Sequence, residues 1–153
     1  MEVKQFLKLF SPKNGIEDEK RALLEQQEQD KQVIAELQNE LMGQITALHN
    51  SALVSETDPA GNITFANQMF MDVAKYSWEE LMGQNHRILK SGDQPDELFV
   101  EMWKTISSGQ YFTGEVKNRA KDGSFYWVIA TITPIMDGES GKIKKYVSVR
   151  YLI

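Results

Sequence analysis

Three places in the 153-residue sequence could do chemistry, and each offers hydrogen bonds or charge rather than a nucleophile. The first is the run Gly83-Gln84-Asn85-His86-Arg87-Ile88-Leu89-Lys90-Ser91-Gly92, where apolar Ile88 and Leu89 sit among hydrogen-bonding side chains. Alone, it also reads as an ordinary helical turn on the surface. The second is Asn118. Strict alternation places Phe112, Gly114, Val116 and Asn118 on one strand face and Thr113, Glu115, Lys117 and Arg119 on the other. Asn118 is therefore in phase with the apolar set, and a buried amide needs partners. A ligand edge with both donors and acceptors would supply them, and so would nearby backbone. The third is Arg150, which shares a face with Tyr146 and Ser148 and opposes Val147, Val149 and Tyr151. Facing inward, it brings in a charge that is costly unless hydrogen-bonded or paired. Facing outward, it is an ordinary surface cation.

Other chemistries are excluded by what is missing. There is no phosphate loop, nucleophile elbow, paired-histidine metal motif or EF-hand. The two histidines, His49 and His86, are far apart in sequence, so no histidine-rich metal site is expected. No nucleophile–base pair is visible, and an enzyme is not expected. The absence of cysteine removes disulfides, thiolate metal sites and cysteinyl photochemistry. A formal net charge of -5 argues against a nucleic-acid surface. No apolar run approaches the roughly 18 residues of a membrane span, and no signal-peptide pattern occurs. A soluble, cytoplasmic protein is expected.

The elements that must position these residues begin after a compositional shift. Residues 1–50 are rich in Gln, Glu, Lys and Leu, while all three Trp and all five Tyr lie beyond Leu53. In residues 1–15, Val3, Phe6, Leu7 and Phe10 share one helical face, and Ser11-Pro12-Lys13-Asn14-Gly15 reads as a break. Residues 16–50 carry Ile34, Leu37, Leu41 and Leu48 at coiled-coil spacing, interrupted by polar Gln27, Asp30 and Gln44. A dimeric helical pair is expected there. In residues 51–153 the order is two strands around a Pro59-Ala60-Gly61-Asn62 turn, a helical middle, then three strands. Ser77 is expected to cap one short helix, and Asp93 or Asp96 the helix that runs to about Ser108. The fold class is α+β, a five-stranded antiparallel sheet with helices on one face. Both faces of 125–130 are apolar, so the face of Trp127, Ile129, Val147 and Val149 needs a cover. The N-terminal helix or a second subunit is expected to provide it.

The region from about residue 50 to 153 resembles a PAS domain. The marks are Thr57-Asp58-Pro59-Ala60-Gly61-Asn62-Ile63-Thr64-Phe65-Ala66-Asn67, Tyr76-Ser77-Trp78-Glu79-Glu80-Leu81-Met82-Gly83, and Asn118-Arg119-Ala120-Lys121-Asp122-Gly123 followed by Tyr126-Trp127. Within the family it is similar to flavin-binding sensors of the aerotaxis, nitrogen-fixation and light, oxygen or voltage (LOV) types. Asn85-His86-Arg87-Ile88-Leu89-Lys90 stands where LOV photoreceptors carry Asn-Cys-Arg-Phe-Leu-Gln, so His86 replaces the photoactive cysteine. Met102-Trp103, Val116-Lys117-Asn118-Arg119, Tyr126-Trp127-Val128 and Val147-Ser148-Val149-Arg150 follow the aerotaxis pattern.

The resemblance implies a flavin, FAD by preference and FMN as the alternative. It places Asn85, His86, Arg87, Lys90, Trp103, Asn118, Tyr126, Val128 and Arg150 at the cofactor site. Asn118 would bond the polar edge of the ring, Arg87 and Lys90 would lie toward the ribityl and phosphate end, and Trp103 would pack on it. Val128 stands in the place of a second flavin-binding Asn and Arg150 in that of the signalling Gln. The implied function is redox or oxygen sensing, relayed through a dimeric N-terminal helix to a downstream signalling domain or partner protein. A cofactor-free relay module and a haem-binding oxygen sensor with His86 as ligand are the alternatives. The sequence stops at Ile153 with no kinase, methyl-accepting or cyclase region, so output is expected from a longer sensor or a partner.

Overall fold

The computed structural model describes residues 12–153, which form two units that divide between Ile45 and Thr46. The first is most of one long helix, α1 (Pro12–His49). It begins at Pro12, inside the expected break. A proline in the first turn lacks only an N–H that has no helical partner there, and its fixed φ suits the helix. The Val3–Phe10 face lies outside the described residues. Ile34, Leu37 and Leu41 are exposed along the helix. No helix among the described residues is long and apolar enough to cross a membrane.

The second unit is built on β1 (Leu53–Thr57), β2 (Ile63–Ala66), β3 (Phe112–Arg119), β4 (Phe125–Met136) and β5 (Ile143–Leu152). They form one sheet in the order β2-β1-β5-β4-β3, and every pair is antiparallel. This is the five-stranded sheet expected from the strand pattern. Its register decides what faces the helical layer. Ser55, Ser148, Ile132 and Phe112 form one cross-strand row, and Leu53, Arg150, Ala130 and Gly114 the next. Both rows face inward. Several of these side chains are small, so the middle of the inner face is hollow. The opposite face leaves Phe125, Trp127, Ile129 and Tyr151 exposed.

Three short elements and one longer helix cover the inner face: α2 (Gln68–Ala74), α3 (Trp78–Leu81), a 3₁₀ turn at His86–Leu89, and α4 (Asp96–Ser107). Ser77 caps α3 in a reciprocal box with Glu80, as its spacing predicts. The cap expected at Asp93 or Asp96 does not form. Pro95 holds the N-cap position of α4 without a side-chain bond. Asp93 pairs instead with Lys117, and Asp96 with Lys90. A lysine within reach outcompetes the helix's own N–H groups for each carboxylate.

Asn67, which precedes α2, ties the domain's entrance together. Its Oδ1 accepts from Phe70 N and Val54 N, both at 3.0 Å. Its Nδ2 donates to His49 O at 3.0 Å and Ala52 O at 2.8 Å. One buried amide thus satisfies the end of α1, the start of β1 and the first turn of α2. Asn67→Ala leaves these groups unpaired in a site closed to water. It is expected to lower unfolding free energy by about 3 kcal/mol, read from urea denaturation. A loss below about 1 kcal/mol would contradict this role.

Candidate functional site

The buried apolar residues of the domain do not form one core. They fall into three clusters: Leu53, Ile63, Ala66, Phe70, Ala74, Leu81 and Leu89; then Ile106, Phe112, Ile132 and Tyr146; then Val116, Val128 and Ala130. A cavity of about 540 Å³, bordered by Ile106, Ile132 and Tyr146 of the second cluster and Val116 and Ala130 of the third, lies between sheet, 3₁₀ turn and α4. Protein interiors rarely tolerate voids much larger than a water molecule, whereas small-molecule sites run from about 300 to 1,000 Å³. The hollow has the dimensions of a binding site, not of a packing defect.

Its polar wall is dominated by Arg150, which is 4% exposed. Nη1 donates to Ser55 Oγ at 2.8 Å and Nη2 to His86 Nε2 at 2.9 Å. The guanidinium lies over the Phe70 ring, 5.4 Å from its centroid. No carboxylate among the described residues meets it. Burial lowers the Arg150 pKa to about 10, with the nearby Tyr126 acting weakly the other way, and it stays charged at neutral pH. Because Arg is a donor only, His86 Nε2 must be the acceptor, which leaves the ring proton on Nδ1. Burial first, and the Arg150 charge second, hold His86 well below the ordinary histidine range. His86 keeps some accessible surface in the cavity wall, yet the surrounding protein still disfavours its charged form.

The same inner sheet face carries donors without partners, Ser148 on β5 beside Arg150 and Asn118 two strands away on β3. Asn118 Nδ2 and Ser148 Oγ are buried without a hydrogen-bond partner, and so is the Tyr126 hydroxyl, which lies beside Asn118 but behind the cavity wall. Tyr126 is pushed up to about 12, chiefly by burial. Asn118 is the amide whose phase along β3 demanded partners. It sits 4% exposed in the cavity wall, and no backbone group satisfies its nitrogen.

The loop that carries His86 is clamped at both ends. Asn62 pairs with Asn85, and Lys90 with Asn118, as isolated bridges. His86 N donates to Gly61 O at 2.9 Å, and Asn85 Nδ2 to Ala60 O at 3.1 Å. Gly61 is required here: its φ is +86°, and a Cβ would stand 3.0 Å from the Trp103 ring. Arg87 Nε donates to Asn85 Oδ1 at 2.8 Å. Lys90 pairs with Asp96 and lies over the Phe99 ring.

The structure brings Asn85, His86, Arg87, Lys90, Trp103, Asn118 and Arg150 together around the cavity. Tyr126 and Val128 do not line it. Val128 is fully buried against Val116 and Ala130, and Tyr126 packs between that cluster and the one around Phe70. Ser55 and Ser148 line the cavity and were not singled out from the sequence. The small residues Ser55, Ala130 and Ser148 become meaningful only once cross-strand register aligns them.

A family model described as PAS fold matches residues 63–150, more than half of the chain. The chain belongs to the PAS family. It is 41% identical over 101 residues to the aerotaxis receptor of Escherichia coli, and 37% identical over 100 residues to the nitrogen fixation regulatory protein of Klebsiella pneumoniae. These matches cover 66% and 65% of this chain, and only 20% of each relative. Among solved structures, it superposes on a light-oxygen-voltage domain studied with a flavin analogue, with TM-score 0.66 and 26% identity over 72% of this chain and 84% of that one. A PAS domain from Colwellia psychrerythraea, 23% identical with TM-score 0.65 over 74% of this chain and 96% of that one, shares the fold.

The His86–Arg150 contact generates a pH dependence. Below the ordinary histidine value of about 6.5, the unfolded chain takes up a proton that folded His86 refuses. Stability is therefore full above about pH 6.5. It falls as pH drops toward the lower folded value, by up to about 1.4 kcal/mol per pH unit. His86→Gln, which keeps an acceptor for Arg150, is expected to flatten this part of the curve. Urea midpoints measured between about pH 7.5 and about pH 5.5 check it. Equal slopes in the two proteins would contradict it.

Proposed function

We propose that the cavity holds a flavin, FAD in preference to FMN, and that the domain senses redox state or oxygen through it. One observation carries this reading. A buried, unpartnered amide donor, Asn118 Nδ2, and a buried cation, Arg150, which meets no carboxylate among the described residues, border the same cavity. A flat guest with acceptors on its edge and a capacity for negative charge satisfies both. The names of the relatives, an aerotaxis receptor and a flavin-studied light-oxygen-voltage domain, support the same class.

When bound, the flavin supplies reversible electron acceptance, with a change in charge and protonation of its ring. The protein's own residues supply the rest. Asn118 donates to the polar edge of the ring, and Ser148 Oγ is free to do so. Arg150 favours whichever state of the guest is more negative, and His86 and Ser55 fix the direction of its guanidinium. Trp103 packs on the guest from α4. Arg87 is the cation available to a phosphate, because Lys90 is already paired with Asp96. The altered balance at Arg150 then shifts the populations of two domain conformations. We further propose that a dimer formed through α1 and the outer sheet face relays this shift to a downstream domain or partner. The exposed Ile34, Leu37 and Leu41 and the exposed Trp127 and Ile129 support that relay.

Two observations weigh against the other readings. A cofactor-free relay module would have Asn118 and the cavity closed by the protein's own groups. A haem would need His86 Nε2, which Arg150 occupies.

The protein as purified is expected to show the blue absorption bands of oxidised flavin, and extraction to yield FAD. Asn118→Ala is expected to weaken FAD binding about tenfold to a hundredfold in titrations of the apoprotein. Colourless protein that also fails to bind added FAD would contradict the proposal.

A further inference from the structure

α4 roofs the cavity with Phe99, Met102, Trp103 and Ile106. Its polar side chains do not reach the sheet. Thr105 donates to Glu101 O and Ser107 to Lys104 O, while Asp96 pairs with Lys90. The polar tether between roof and sheet lies just ahead of the helix, at Gln94. Its Oε1 accepts from Lys117 N at 2.7 Å, and its Nε2 donates to Glu115 O at 3.1 Å. Asp93 adds an ion pair with Lys117. Among the strands, β3 pairs only with β4, and beyond the single Lys90–Asn118 bridge its free edge meets no further strand, so the Gln94 amide fills the place of a missing neighbouring backbone.

The roof is also bracketed by two turns with left-handed glycines. Gly92 has φ +89° and Gly109 φ +86°, and a Cβ at either would meet nothing within 4 Å. No side chain packs where a Cβ would stand at either position. Glycine reaches both signs of φ at little cost, which suits these two positions to a hinge.

We infer that α4 is a hinged roof and Gln94 its latch, so that a guest enters and leaves the cavity when Gln94 lets go of the β3 edge. The inference rests on the reading that the cavity holds a small molecule. Release breaks two hydrogen bonds and an exposed ion pair, and apolar contacts of α4 guide the return.

The test compares the full chain with its Gln94→Ala variant, using FAD as the probe and flavin fluorescence as the readout. Both association and dissociation rate constants are expected to rise about tenfold, the worth of two ordinary hydrogen bonds, with Kd little changed. Faster dissociation with unchanged association would show a contact that only stabilises the bound state, and would overturn the latch. Unchanged rates would overturn it too. Gln94→Glu keeps the acceptor for Lys117 N and loses the donor to Glu115 O, so its rates are expected to fall between. It also serves if the alanine variant does not fold. Amide hydrogen exchange without flavin decides the point independently. Gln94→Ala is expected to speed exchange along α4 and to leave β4 and β5 unchanged; unaltered exchange in α4 would overturn the latch. Failure of the wild-type chain to bind FAD would instead overturn the flavin reading, with exchange still deciding on the roof.

Discussion

A guanidinium held inside the domain without a carboxylate is the constraint on which the rest depends. Burying an ion costs several kcal/mol unless other groups replace its water. Here the replacement comes from Ser55 Oγ, His86 Nε2 and the face of Phe70. Each of these is fixed by something else. Ser55 is placed by β1 pairing with β5, His86 by the clamp of its loop on the Gly61 turn, and Phe70 by the Asn67 cap. The same Asn67 holds the last carbonyl of α1, so Arg150 and the domain's entrance share a contiguous set of contacts.

The arrangement leaves a charge turned toward a hollow. A packed core would place large side chains where Ala130, Ser55 and Ser148 stand. Their small size leaves room for the cavity, which the second and third apolar clusters border. The domain gives up contacts there that a bound guest would restore, and it leaves donors unbonded that such a guest would satisfy. Stability and ligand binding are therefore written into the same residues. Neutral histidine is part of this balance, since protonating His86 would set two cations against each other.

Much of the fold was legible because it rests on local patterns. Alternation along 112–119 placed Asn118 inward, and the Ser77–Glu80 spacing fixed the start of α3. Arg150 was harder to place. The more apolar set of β5, Val147, Val149 and Tyr151, faces outward, and the set with Ser148 and Arg150 faces inward. That inverts the usual rule, for the physical reason that the inner face borders a polar cavity instead of a dry core. The helix caps at Asp93 and Asp96 were misread because lysines distant in sequence claim both carboxylates. Ser55 and Ser148 were invisible as site residues until cross-strand register set them opposite one another.

The central claim is that the Arg150 charge belongs to the site and acts on the electrons of its guest. The most direct measurement is the midpoint potential of the FAD-loaded protein against that of Arg150→Gln, which keeps a donor and removes the charge. The account predicts a fall of at least about 30 mV for the two-electron couple, a tenfold loss of preference for the reduced guest. An unchanged or higher potential in the variant would contradict it.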